Sequence, residues 1–128
     1  MKKIIFSSKA PAPIGPYSQA VLIDNTLYVS GQIAINQATG SLVLNNIDLE
    51  MKQVMQNLCY ILEEAGMGLD NIVKTSIFLL DMNNFAQVNE LYSSYFSNNF
   101  PARETVQVSR LPKDVNIEIS VIASAITL

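Results

Sequence analysis

The chain has 128 residues and a net charge of −3, from 8 Lys and Arg against 11 Asp and Glu, with no histidine. The length suits one domain over residues 1–128, able to bury a core without disulfides or metals. The acidic balance offers no positive stripe for nucleic-acid phosphates, and the lack of histidine excludes imidazole catalysis.

Charged residues make up 15% of the chain, against about 25% in an average soluble domain. Two explanations are open: part of the surface is buried against other subunits, or a monomer relies on Ser, Asn and Gln for its polar surface. The single Cys59 rules out an internal disulfide and suits a reducing compartment. The apolar run at Met1–Phe6 stops before Ser7-Ser8-Lys9, too short for a signal-peptide core, and no stretch approaches a transmembrane length. A cytoplasmic protein without membrane attachment is expected.

In chain order, residues 3–7 suit a short strand. Pro11, Pro13, Gly15 and Pro16 make the next segment a stiff loop, since proline fits neither helix interior nor central strand. Ser18 to Ile23 and Leu27 to Ile33 read as strands joined by Asp24-Asn25-Thr26, which has hairpin-turn chemistry. Asn36 to Gly40 is a further turn. Ile47 to Ala65 is the clearest helix: Ile47, Met51, Val54, Met55, Leu58, Ile61, Leu62 and Ala65 recur in steps of three and four. Asn45 or Asn46 suits its N-cap and Gly66 its left-handed C-terminus. Cys59 borders the stripe as a small hydrophobe.

Ile72 to Leu80 has the β-branched and aromatic content of a buried strand. Asn84 to Phe96 repeats helical spacing through Phe85, Val88, Leu91, Tyr92, Tyr95 and Phe96. Arg103 to Leu111 and Asn116 to Ile126 complete the order β-β-β-α-β-α-β-β. That order predicts an α+β fold with two helices on one face of a mixed sheet. Few charges fall on the strands, which points to burial of the other face between subunits.

Chemically capable residues are few. Glu118 alternates with Ile117, Ile119 and Val121, on a face shared with Asn116 and Ser120. It reads either as an exposed strand residue or as a half-covered carboxylate, whose raised pKa suits acid/base work. Arg103, after Phe100-Pro101-Ala102, is either a surface strand end or a planar fork for a carboxylate or phosphate. Tyr17 is either an aromatic lid or a positioned hydroxyl. Ser30-Gly31, in a strand that wants bulk, suits a bulge or close approach of a ligand.

Four collinear stretches carry a resemblance: Ala10-Pro11-Ala12-Pro13-Ile14-Gly15-Pro16-Tyr17-Ser18-Gln19; Ser30-Gly31-Gln32-Ile33; Phe85-Ala86-Gln87-Val88-Asn89-Glu90-Leu91-Tyr92; and Pro101-Ala102-Arg103, continued by Arg110-Leu111-Pro112-Lys113-Asp114 and Ile117-Glu118-Ile119. Together they resemble the RidA (YjgF-type) family along essentially the whole chain. The resemblance implies a chorismate-mutase-like fold, a homotrimer with sites in clefts between subunits, and no metal or cofactor. It also implies 2-iminobutanoate/2-iminopropanoate deaminase activity: hydrolysis of reactive imines and enamines to 2-keto acids and ammonia, a metabolite damage-control role. On that resemblance Arg103 binds the substrate carboxylate, Glu118 holds or activates water, and Tyr17 lines the pocket. Gly31, beside Ser30, sits against the ligand, Asn89 is a neighbouring polar group, and Thr105 offers its backbone amide where relatives often carry Cys. Glu104 departs from the family's usual small residue after the arginine; alternation points it away from the face of Arg103 and Thr105. The alternative is a non-catalytic protein that binds or senses small carboxylates on the same trimeric scaffold.

Overall fold

In the computed structural model, which describes residues 1–125, the elements follow the order β1 (Lys3–Ile5), β2 (Ala20–Ile23), β3 (Thr26–Gln32), β4 (Ile35–Asn36), β5 (Ser41–Leu42), α1 (Ile47–Glu64), β6 (Ile72–Leu79), α2 (Phe85–Ser93), β7 (Ala102–Gln107) and β8 (Ile117–Ser124). Six strands form one sheet in the order β1-β2-β3-β8-β6-β7. Neighbours are antiparallel except β6 and β7, which run parallel on either side of α2. This is the expected α+β arrangement on a mixed sheet.

α1 drives the packing. Met51, Val54, Met55, Leu58, Ile61 and Leu62 on its stripe are each at most 1% exposed. Burial of such a side chain contributes about 1.5–3 kcal/mol, so the stripe decides which way the helix docks. Asn46 caps its start, the side-chain oxygen accepting from the Leu49 amide at 2.8 Å. Gly66 ends it in the left-handed region at φ +74°, where a Cβ is strained. On β8, Ile117, Ile119, Val121 and Ala123 point into this core. Tyr92 of α2 reaches the same side and donates to the buried Thr75 hydroxyl of β6 at 2.9 Å.

Among the described residues the opposite sheet face carries no helix. Cross-strand partners place Val21, Tyr28, Ile122, Lys74 and Ala102 in one row. Ser120, Ser76 and Glu104 form the next, and Glu118, Phe78 and Val106 the third. Tyr28 is 49% and Val106 42% exposed.

Besides shifts of one or two residues at strand and helix ends, three departures from expectation stand out. The turn at Asn36–Gly40 is present but closes a separate two-stranded ladder, β4–β5. The second helix ends at Ser93, not Phe96: the hydroxyls of Ser93 and Ser94 bond back to Glu90 and Leu91 carbonyls. Such bonds compete with the helical ladder, and the chain continues to Phe96 in tighter turns. β7 stops at Gln107, after which one further bond, Val108 N–H to Leu79 C=O at 2.9 Å, ties it to β6. Ile126, expected to end the last strand, lies outside the described residues. Among those residues no helix is long and apolar enough to cross a membrane.

Candidate functional site

The site residues expected from the sequence fall into two clefts on opposite faces of the sheet. The first, about 390 Å³, is lined by Pro11, Tyr17, Ser30, Gly31, Pro112 and Glu118 among others. Its outer wall is the proline-rich loop, held from within by the buried Gln19. That side chain donates to the carbonyls of Ser7 (3.1 Å) and Pro11 (2.9 Å) and accepts from the Ser7 amide at 2.7 Å. Tyr17 stands exposed at the rim, its hydroxyl accepting from the Ile14 amide at 3.3 Å. Ser30 is tied down, donating to the Ser18 carbonyl at 2.6 Å.

Ser30 and Gly31 lie where the β3–β8 register breaks between Val29 and Gln32, the bulge their sequence suggested. The irregularity lets the Glu118 side chain fold onto Gly31 (a Cβ there would meet its carboxyl group). Glu118 is half-buried, and burial pushes its carboxyl above the ordinary value of 4.5. Desolvation disfavours the charged form and suits the group to taking and returning a proton.

The second cleft, about 290 Å³, lies beside α2 and is lined by Asn89, Tyr92, Phe100, Pro101 and Arg103. Arg103 donates through Nη2 to Asn89 Oδ1 at 2.7 Å. Its guanidinium lies 5.0 Å from the Tyr92 ring centroid and 5.9 Å from that of Phe85. Cation–π attraction to the two rings and the bond to the Asn89 amide oxygen together hold the fork in place. Among the described residues the ion pairs are Lys74–Glu104 and Arg110–Asp114, so Arg103 meets no carboxylate. A planar cation so held presents its remaining donors to an anion. Thr105 shares this face, pairing with Ile77 as Arg103 pairs with Thr75, and its hydroxyl is buried without a hydrogen-bond partner.

One chain thus brings Tyr17, Ser30, Gly31 and Glu118 together, and separately Arg103 and Asn89. It does not bring Arg103 to Glu118, because Arg103 lies in the helix-side row and Glu118 in the open-face row. Glu104 is on the open face as alternation predicts, where it pairs with Lys74 at 3.0 Å and accepts from the Ser76 hydroxyl. Those hydrogen bonds lower its pKa. Cys59 is partly buried, and burial first, then Glu63, raise its pKa. That is the opposite of what a nucleophilic thiolate needs.

Two supports escaped the sequence reading. Asn57 is fully buried and donates to the carbonyls of Ile33 (3.0 Å) and Ile35 (2.9 Å) at the cleft floor. Glu50, also fully buried, accepts from Asn116 and Ile117 just before Glu118. The signal was present: both sit at apolar-stripe spacing in α1, three residues after Ile47 and Val54.

Residues 7–125 match the family model described as Endoribonuclease L-PSP. A RutC family protein of Pyrococcus abyssi is 52% identical over 122 residues, 95% of this chain and 96% of its own length. The rat protein named 2-iminobutanoate/2-iminopropanoate deaminase is 51% identical over 123 residues, 96% of this chain and 90% of its own. The crystal structure of the YjgF gene product of E. coli superposes with a TM-score of 0.92 at 43% identity, covering 97% of this chain and 99% of that one.

Proposed function

Because the chain belongs to the endoribonuclease L-PSP (YjgF/RidA) family, we propose that it hydrolyses 2-iminobutanoate and 2-iminopropanoate to the 2-keto acids and ammonia. Half-identity along nearly the whole chain to a mammalian protein named for that activity supports the reading. The observation that carries it is the pair of half-sites: a stacked, carboxylate-free Arg103 and a half-buried Glu118 with raised pKa.

The reaction needs little more. The imine carbon is already electrophilic, so neither a metal nor a strong nucleophile is required. Arg103, braced by Asn89, takes the substrate carboxylate in a bidentate grip. Water adds to the imine carbon while Glu118 takes a proton from it. Addition to the protonated imine gives a neutral carbinolamine; Glu118 returns its proton to the nitrogen and then takes the hydroxyl proton as the C–N bond breaks, so the keto C=O forms and ammonia leaves. Gly31 lets the ligand approach the backbone, Ser30 holds that bend, and Tyr17 closes the rim. The Thr105 amide completes the anion grip. Positioning together with one acid/base group contributes about 10²–10⁴-fold or more.

Since Arg103 and Glu118 occupy opposite faces of one sheet, a site that uses both takes them from two copies. The helix-free face, with Tyr28, Ile122 and Val106, is the surface for that association. A homotrimer with three inter-subunit sites in a reducing cytoplasm is our reading. The family's description names a ribonuclease, but a net charge of −3 and the lack of histidine argue against direct RNA chemistry here.

The test generates 2-iminobutanoate with threonine dehydratase and threonine in the presence of semicarbazide. The protein is expected to suppress semicarbazone formation, and Arg103→Ala to abolish the suppression; equal rates from both sink the proposal. A second reading, a non-catalytic carboxylate-binding protein on the same scaffold, draws on Arg103 and Glu118 lying in different rows of one chain. Calorimetric binding of 2-ketobutyrate without turnover by the parental protein decides for it.

A further inference from the structure

We propose that Glu50 is a positioning residue for Glu118: from the first turn of α1, its buried carboxylate fixes the strand end that aims Glu118 into the cleft. The inference rests on the deaminase reading for its kinetic consequences, although not for its geometry. Glu50 is 0% exposed. Its Oε2 accepts from the backbone N–H of Asn116 at 2.8 Å and of Ile117 at 2.9 Å, and its Oε1 from the Asn116 side-chain amide at 2.8 Å.

Those amides need an outside acceptor. The β3–β8 ladder gives its last pair at Gln32–Ile119, because β3 ends at Gln32. β8 therefore starts at Ile117 with no strand on that side. The other side is satisfied: Leu80 N–H donates to Asn116 C=O at 3.0 Å and Leu79 pairs with Ile117. Glu50 supplies from the helix the acceptor that β3, ending at Gln32, does not provide. An apolar residue would suit its stripe position in α1 better, since burying a carboxylate carries a desolvation cost. That cost is offset here by three donors, all from the two residues preceding Glu118.

The role is geometric, so glutamine can fill it. With its carbonyl oxygen in the Oε2 place, Glu50→Gln keeps both backbone bonds. A flipped Asn116 amide then presents its oxygen to the new NH2 group. Glu50→Ala leaves two backbone amides without an acceptor, frees the strand end, and lets Glu118 drift toward solvent. Arg103, on β7 and braced by α2, stays where it is.

The experiment measures kcat and KM for imine hydrolysis, and the Glu118 carboxyl titration by carbon-13 NMR, in parental protein, Glu50→Ala, Glu50→Gln and Asn116→Ala. Glu118 and Tyr17 are the titratable side chains lining that cleft. Glu50→Ala is expected to lose about tenfold or more in kcat with KM little changed, and its Glu118 titration to fall back toward 4.5. Glu50→Gln is expected to match the parent, and Asn116→Ala, which removes one bond of three, to lose about two- to threefold. A folded Glu50→Ala with parental kcat and titration overturns the inference. Should that variant fail to fold, parental kcat and titration in Asn116→Ala overturn it instead. An inactive parental protein overturns the deaminase reading, while the Glu118 titration still decides what Glu50 does.

Discussion

Glu118 rests its carboxyl group on the Cα of Gly31: a Cβ built on that glycine falls 2.5 Å from Oε2 and 2.8 Å from Cδ of the glutamate. The glycine is required by this neighbour, because its φ is not in the left-handed region. Contacts that short force one partner to move, and the mobile partner is the end of the Glu118 side chain.

Gly31→Ala is therefore expected to separate stability from activity. The displaced carboxyl group swings away at little cost in folding, so Tm changes by only a few degrees. Imine hydrolysis falls about tenfold or more, since misplacing a catalytic group costs that much. Thermal melts and rates on one preparation check both halves; parental activity in the folded variant contradicts the contact.

Glu118 also makes stability depend on pH. Burial raises its pKa, so the folded state holds the proton more tightly than the unfolded chain. The group's contribution is then fully present below the unfolded pKa and is lost as pH rises through the folded one. Above the folded pKa the ionised carboxylate is a burden on the fold. Glu118→Gln is expected to raise Tm by a few degrees near neutrality, with the gain shrinking as the parent is acidified toward 4.5. A difference independent of pH contradicts this sign. On the proposed mechanism the same variant is also expected to lose imine hydrolysis.

Arg103 depends on its braces. Asn89→Ala removes the 2.7 Å bond to the guanidinium but leaves the Tyr92 and Phe85 rings in place. A several-fold rise in KM with a smaller change in kcat is expected, because the interaction holds the substrate anchor in ground and transition state alike. Arg103→Lys loses both stacking and the fork and is expected to fall well below Asn89→Ala in kcat/KM. Steady-state kinetics on the two variants checks the order.

Glu104 stands where the family resemblance implies a small residue. It faces away from Arg103, bound to Lys74 and Ser76. Glu104→Ser is expected to leave kcat/KM within about twofold. A large gain would show that its charge reaches the Arg103 cleft.

Much of this was legible in the sequence. The α1 stripe, the Asn46 cap and Gly66 read out directly because they are local patterns. The alternation around Glu118 and Glu104 gave the correct faces for both. Apolar spacing extends the second helix through Tyr95 and Phe96, whereas the Ser93 and Ser94 hydroxyls, which end it at Ser93, carry no period. Glu50 and Asn57 were passed over as polar residues, although their place on an apolar stripe marked them as buried. What no local pattern holds is that Arg103 and Glu118 end on opposite faces: that follows from the registers of β7 and β8 on β6, Arg103 beside Thr75 and Glu118 beside Phe78.

The central claim is that a working site takes Arg103 from one copy and Glu118 from another, and mixing two inactive variants tests it most directly. Arg103→Ala and Glu118→Ala chains, each inactive alone, are unfolded together in equal amounts and refolded into mixed assemblies. If each site draws its arginine and its glutamate from different chains, about a quarter of the sites receive both intact residues, and about a quarter of parental activity returns. If no activity returns from assemblies shown to be mixed, both residues act within one chain and the account is wrong.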